Sequence, residues 1–377
     1  MKTSLKLFAV RGVDIRLHVT FPLILLYAAL QFGLVGGMAG ALFGVVAVSL
    51  LFVLVTLHEL GHTFAAQHYG IEVRQIVLSP LGGVAQLSEM PDKPAQELVI
   101  AAAGPAVNFA AAAVMSAVAL ATSGSLPGLD GFQPWQTGFG LSSLFGYLFT
   151  TNLLLAFFNL LPAFPMDGGR ILRALLALRL DYVRATNLAA GVGRAAAVAL
   201  GLYGLWTGGL FLMLIAYFIF TSAGAESRYV RYRRAVQGYT VQHVYSAAAH
   251  RLEPGTTLRG ATDLMLLGGQ TSFPVVVDEA LVGFLPHADL VRDLRARPPY
   301  TPVGELMRRD VEPVLPSEEL FAVEQRMAME RLDALPVVAG GRYEGLITLN
   351  QINTLRRLVR GASPAAAPRA HSTSTVG

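Results

Sequence analysis

Six long apolar runs constrain this chain more than any other feature. They lie at about residues 18–37, 40–67, 97–122, 139–162, 187–206 and 209–224. Each reaches the ~17–25 residues that a helix needs to cross a bilayer. After about residue 225 charges return at ordinary density, so a membrane part is followed by a soluble one. The averages agree: 53% of the 377 residues are hydrophobic and 14% charged, where a soluble protein carries about 25%. The fifth run, NLAAGVGRAAAVALGLYGLW, is the weakest because Arg194 sits within it. It reads as a span or as a buried or interfacial helix.

Charge asymmetry orients the runs. The connections near residue 38, at 121–138 and at 207–208 contain no Lys or Arg. The opposite side carries Lys2 to Arg16, Arg74 and Lys93, Arg170 to Arg184, and Arg228 to Arg234. By the positive-inside rule both termini face the cytoplasm. The first run lacks a small-residue cleavage site after it, so it is expected to remain. The net charge of +4 comes from residues beside the apolar runs, not from one basic patch. That arrangement excludes a nucleic-acid surface. Residues 1–17, basic and partly alternating, predict one short strand before the first span.

The chain has no cysteine, so any metal must be held by histidines and carboxylates. The second run ends in VTLHELGHTFAAQHYG, where His58, Glu59 and His62 form H-E-x-x-H. Two histidines four apart project from one helix face and can share a metal. Glu59, next to that face, is placed to take a proton from the attacking water. Ionisable groups inside a span are costly and usually functional. A catalytic zinc needs a third protein ligand, and FFNLLPAFPMDGGRIL at the end of the fourth run supplies Asp167. Its two prolines and two glycines predict broken backbone, which a membrane tolerates only inside protein or beside a wet cavity. The plain alternative is a turn capped by Asp. His18 and His68 read as interfacial residues, and Arg170 and Arg173 as surface anchors of their helix.

H-E-L-G-H on one span with N-x-x-P-x-x-P-x-D-G on a later one resembles the site-2 proteases, intramembrane zinc metalloproteases. The resemblance covers the whole membrane part. It implies one zinc on His58, His62 and Asp167, with Glu59 as general base. It also implies that AAAGPAVNF brings Asn108 near the active site, to orient substrate or to bond the developing oxyanion. On the residues alone Asn108 reads as a helix–helix hydrogen bond. The expected substrate is a transmembrane or membrane-tethered segment, which must unwind before cleavage. SPLGGVAQL at 79–87 reads as a strand edge able to hold it, or as a simple surface hairpin.

The soluble part repeats itself. Pro254/Pro316, Pro274/Pro336 and Gly283/Gly345 share one offset without a gap. The repeat resembles a pair of CBS motifs, at about 241–300 and 303–360. Such pairs dimerise through paired helices and often bind adenine nucleotides, and the six-span layout with this tandem resembles the CBS-bearing branch of the protease family. Residues 226–240 are expected to be a basic linker and 363–377 a disordered tail. Family nucleotide sites use G-x-x-[ST]-x-x-D. Here the first copy keeps Gly283 and Asp289 without the hydroxyl, and the second keeps Gly345 and Thr348 without the carboxylate. The expected fold is therefore a six-span α-helical membrane protein with a small β element near the site and a C-terminal α/β tandem. The expected function is CBS-regulated intramembrane proteolysis in a prokaryotic cytoplasmic membrane. The rival is a CBS-gated transporter or channel, which has no need of three ligands beside a glutamate.

Overall fold

The structure, a computed structural model, describes residues 4–80, 82–87, 91, 93–127 and 138–361. The expected disordered tail lies outside the described residues. The chain divides into two compact units, Met1–Arg228 and Tyr229–Gly377.

In the first unit α1 runs over Phe21–His68, 48 residues. At 1.5 Å per residue a straight helix of that length would be about 70 Å long, more than twice a hydrocarbon core. It breaks at Gly37 (φ 59°, ψ −142°), a backbone conformation that only glycine adopts freely. The two arms fold against each other. A Cβ on Gly40 would lie 2.2 Å from the Phe32 carbonyl oxygen, and one on Gly44 2.6 Å from that of Ala28. Phe21 and Phe52 meet edge to face at 4.7 Å. The first two apolar runs are thus the arms of one folded element. The later spans are α2 (Pro94–Ser123), α3 (Leu141–Asn159), α5 (Tyr182–Thr207) and α6 (Leu210–Val236). By length and composition all five helices can cross a membrane. The short amphipathic α4 (Asp167–Ala177) cannot. The weak fifth run is one unbroken 26-residue helix.

The β element is a four-stranded sheet, where one N-terminal strand and a strand edge or hairpin at 79–87 were expected. β1 (Ser4–Val10) and β2 (Val13–His18) form a hairpin about Arg11 and Gly12, both with positive φ. Two central residues of positive φ match the twist of paired strands. β3 (Val73–Ser79) lies parallel to β2, and β4 (Gly82–Leu87) antiparallel to β3. The order is β1-β2-β3-β4. Val13, Ile15, Val73 and Ile76 pack under the sheet with Phe52, Leu60 and Ala66 of α1. That packing fixes β4 beside the helix carrying H-E-x-x-H.

The second unit contains α7 (Leu258–Gly268), β5 (Phe273–Val277), β6 (Ala280–Leu285) and α8 (His287–Ala296). The same series returns as α9 (Leu320–Glu330), β7 (Ala334–Ala339), β8 (Arg342–Thr348) and α10 (Leu349–Gly361). Even the irregularities repeat: the register slips between Val275 and Val276, and again between Val337 and Val338. The copies exchange their leading segments, since Ser246 bridges Leu346 while Arg308 bridges Phe284. Glycine is needed where those segments cross. A Cβ would come 2.3 Å from Met307 Sδ at Gly283 and 2.4 Å from the Ser246 carbonyl oxygen at Gly345. The basic stretch expected as a linker is helical as far as Val236. Its Tyr229 and Tyr232 pack on Phe321 of α9.

Candidate metal centre

His58 and His62 occupy one face of α1, a turn apart, and both are buried. Asp167 opens α4 and reaches them: its Oδ2 lies 3.2 Å from His58 Nε2 and 3.1 Å from His62 Nε2. The two Nε2 atoms are 3.1 Å apart. His62 Nδ1 donates to the Ile100 carbonyl oxygen at 2.7 Å, so its Nε2 presents a lone pair. The Asp167 carboxylate oxygen, the lone pair of His62 Nε2 and the Nε2 of His58 thus converge on one point, and a cation placed among them satisfies all three once His58 carries its proton on Nδ1. Ligand atoms of a tetrahedral zinc stand about 2.0–2.2 Å from it, hence about 3.3 Å from each other. Nitrogen and carboxylate donors at the observed spacing fit that ion.

The local sequence explains why Asp167 gets there. α3 stops at Asn159, and the backbone turns tightly before α4. A Cβ on Gly168 would lie 2.3 Å from the carbonyl oxygens of Leu160 and Leu161, and one on Gly169 2.7 Å from Phe164 N. Side chains at these two glycines would push the turn open. Asp167 is not the helix cap; Met166 holds that position.

α2 closes the other side. Ile100, Gly104 and Asn108 are spaced four apart on it and share a face. A Cβ on Gly104 would meet His62 Nε2 at 2.2 Å and His58 Nε2 at 2.7 Å. Asn108, a turn further on, is 1% exposed, and neither its Nδ2 nor its Oδ1 has a hydrogen-bond partner among the described residues. A buried amide without partners is costly unless something else bonds it. Its backbone carbonyl, not its side chain, takes the helix–helix bond, accepting from Asn152 Nδ2 at 2.8 Å.

Glu59 is half-buried and turns toward β4: a Cβ on Gly83 would come 2.6 Å from its Cγ and 3.3 Å from Oε1. β4 pairs only with β3, so its other edge has no strand partner among the described residues. His18 Nδ1 lies 2.7 Å from Thr20 Oγ1 at the start of α1, and His68 is exposed in its last turn. Arg170 is exposed.

Arg173 is not the surface anchor expected. It is 1% exposed and donates to Glu97 of α2 at 2.8 Å and to Glu226 of α6, with Phe164 and Tyr182 beside its guanidinium. A lone buried cation would be prohibitive; two carboxylates make it a tie between the Asp167 helix and two spans. Nothing local in the sequence marks these partners, which lie 76 and 53 positions away. Gly83 and Gly104 also escape a reading by motif, since their role is the side chain they lack.

The tandem residues are already engaged. Asp289 Oδ1 accepts from Arg292 Nη1 at 2.8 Å, and its Oδ2 accepts from Arg308. Thr348 and Gln351 cap α10 reciprocally: the Thr348 N–H donates to Gln351 Oε1 at 2.8 Å, and the Gln351 N–H to Thr348 Oγ1 at 3.2 Å.

Two broken membrane elements thus deliver two histidines and a carboxylate to one buried point with a glutamate beside it, a metallohydrolase arrangement built within spans. Residues 46–200 match peptidase family M50, and residues 303–355 match the CBS domain. The zinc metalloprotease MJ0392 of Methanocaldococcus jannaschii is 32% identical over 352 residues, covering 93% of this chain and 96% of that protein. Rip3 of Mycobacterium tuberculosis is 31% identical over 387 residues, covering 97% and 95%. A solved structure of the site-2 protease from Methanocaldococcus jannaschii is 37% identical and covers 59% of this chain and 95% of that one, with a TM-score of 0.43. The chain belongs to peptidase family M50, the site-2 proteases. It is an intramembrane zinc metalloprotease carrying a CBS domain, and the transporter or channel reading is set aside.

Proposed function

We propose that His58, His62 and Asp167 hold one zinc, that Glu59 is the general base, and that the enzyme cuts a peptide bond in or near a transmembrane segment of a membrane-tethered protein. The observation that carries this is the meeting of the His58, His62 and Asp167 ligand atoms within 4.8 Å of one another, with the neighbouring Glu59 against Gly83 of β4. Bound by these three residues, zinc would supply Lewis acidity to the attacking water and to the scissile carbonyl. Glu59 takes the proton of the attacking water and returns it to the leaving amine. Asn108, with a free amide, donates to the carbonyl oxygen as its charge grows. The unwound segment adds to the edge of β4, where main-chain hydrogen bonds replace those lost on unwinding.

The same reading puts both termini and the tandem in the cytoplasm of a prokaryotic cell, supported by the Lys- and Arg-free opposite connections. The chain has no cysteine, so single cysteines can report sidedness. An impermeant thiol reagent should label position 125 from outside intact cells and leave position 237 unlabelled; the reverse pattern overturns the orientation. The tandem regulates the protease and pairs with that of a second copy, which the exposed Leu266 and Leu267 of α7 support. The deciding experiment is co-expression with candidate membrane-tethered regulators, comparing wild type with Glu59→Gln. Cleavage that persists in Glu59→Gln removes the proposed base.

A further inference from the structure

Arg173 and Arg194 are both arginines of the membrane unit, yet only Arg173 has its charge answered by carboxylates. Arg194 lies twelve residues into α5, about 18 Å along the helix. Side chains on a helix lean toward its N-terminus, so the guanidinium reaches back toward the charged end of the span. There it meets α6 beside Gly224. A Cβ on Gly224 would lie 2.8 Å from Arg194 Nη2 and 3.1 Å from Arg228 Nη1. The two nitrogens are therefore no further apart than the sum of those distances. Neither arginine has an ion-pair partner among the described residues, and the buried Arg194 Nε has no hydrogen-bond partner there. Glu226 does not serve them; it is committed to Arg173.

The surroundings favour an anion over a protein carboxylate. Phe220 lies under the Arg194 guanidinium, 5.6 Å from its ring centre, and is itself 45% exposed. Gly191, one turn before Arg194, has open space where a side chain would stand. The level is also defined. α6 has no charged residue from Leu210 to Ala225, and α5 none from Ala195 to Thr207. The two guanidiniums thus meet where the uncharged stretches of both helices end, toward the headgroups of the leaflet on that side. Paired guanidiniums there recognise a phosphodiester by charge-assisted, forked hydrogen bonds.

We propose that Arg194 and Arg228, with the notch at Gly191 and Gly224, bind the phosphate headgroup of an anionic phospholipid in the groove between α5 and α6. The acyl chains then cover the exposed apolar faces of those helices. The site is separate from the metal centre and does not depend on the roles given to Glu59 or Asn108.

The test uses full-length protein in a neutral detergent, titrated with phosphatidylglycerol and with phosphatidylcholine and followed by native mass spectrometry. Wild type should retain phosphatidylglycerol at least tenfold more tightly than phosphatidylcholine. Arg194→Gln/Arg228→Gln should abolish the preference while keeping its zinc, which reports an intact fold. Should the double variant not fold, the exposed Arg228→Gln alone should lower the preference several-fold. Millimolar inorganic phosphate should not displace the lipid. Equal retention of the two lipids by wild type, an unchanged preference in a folded variant, or displacement by free phosphate would each overturn the proposal.

Discussion

Asp167 and Asp289 are both buried carboxylates in the first turn of a helix, and what faces them differs in kind. Asp167 meets two imidazole nitrogens, and one of them, His62 Nε2, is left an acceptor by the bond its Nδ1 gives to Ile100. Asp289 meets two guanidiniums that supply both charge and donors. The first set of partners draws in a cation. The second leaves the carboxylate little to offer a ligand. Burial alone therefore does not distinguish a binding carboxylate from a structural one; the donor or acceptor character of its neighbours does.

The sharpest way to break this contrast is at the base beside Asp167. Glu59→Gln should lower cleavage of a co-expressed substrate by at least the ~10²–10⁴-fold typical of general acid–base catalysis, with one zinc per chain retained on metal analysis. His58→Ala/His62→Ala should lose both zinc and activity. Full activity in Glu59→Gln, or unchanged zinc in the double variant, sinks the assignment.

Asn108→Ala should come next, lowering turnover about 10²-fold or somewhat more with zinc and thermal stability nearly unchanged. Because no described residue bonds its amide, a merely structural Asn108 has little to lose on truncation. A large fall in stability with normal turnover would make it a packing residue.

The two aspartates can then be exchanged directly. Asp167→Asn should weaken zinc by more than the ~10–100-fold that follows loss of an outer-shell partner, because it removes a ligand itself. Asp289→Asn should leave zinc content untouched. Equal zinc loss in both would mean that the carboxylates do not differ as their neighbours indicate.

The parts of this picture legible in the sequence are those written in spacing. The interval between His58 and His62, the break-prone segment before Asp167, and the constant offset of the tandem each survive as geometry. What was hidden is written in space. Arg173 looks like any basic residue flanking a span, and only the folded chain brings Glu97 and Glu226 to it. The turn inside the 48-residue first helix, by contrast, was legible: the sequence places a connection near residue 38, and the chain turns at Gly37. Thr348 and Asp289 match fragments of a ligand motif, but the motif cannot show that a glutamine and two arginines already hold them.

The smallest expected effect lies in the tandem. With Asp289 clamped by Arg292 and Arg308 and Thr348 held in the cap of α10, a nucleotide would have to displace these partners before gaining its ribose and phosphate contacts. Forgoing one hydrogen bond to a charged group amounts to about 1.5–3 kcal/mol, which moves a micromolar site toward the millimolar range. Calorimetric titration of the full chain with ATP, ADP and AMP should accordingly give dissociation constants near millimolar. Arg308→Ala frees one oxygen of Asp289 and should tighten binding if the clamp is what limits it. Micromolar affinity that survives both Thr348→Ala and Asp289→Ala would place the nucleotide elsewhere in the tandem and end the contrast drawn between the two carboxylates. Regulation by any ligand further requires unequal affinity for two arrangements of the tandem, since equal affinity shifts nothing. Deleting the tandem should therefore change the rate or selectivity of cleavage; if both stay as in the intact enzyme, the regulatory role must be given up while the metal centre stands.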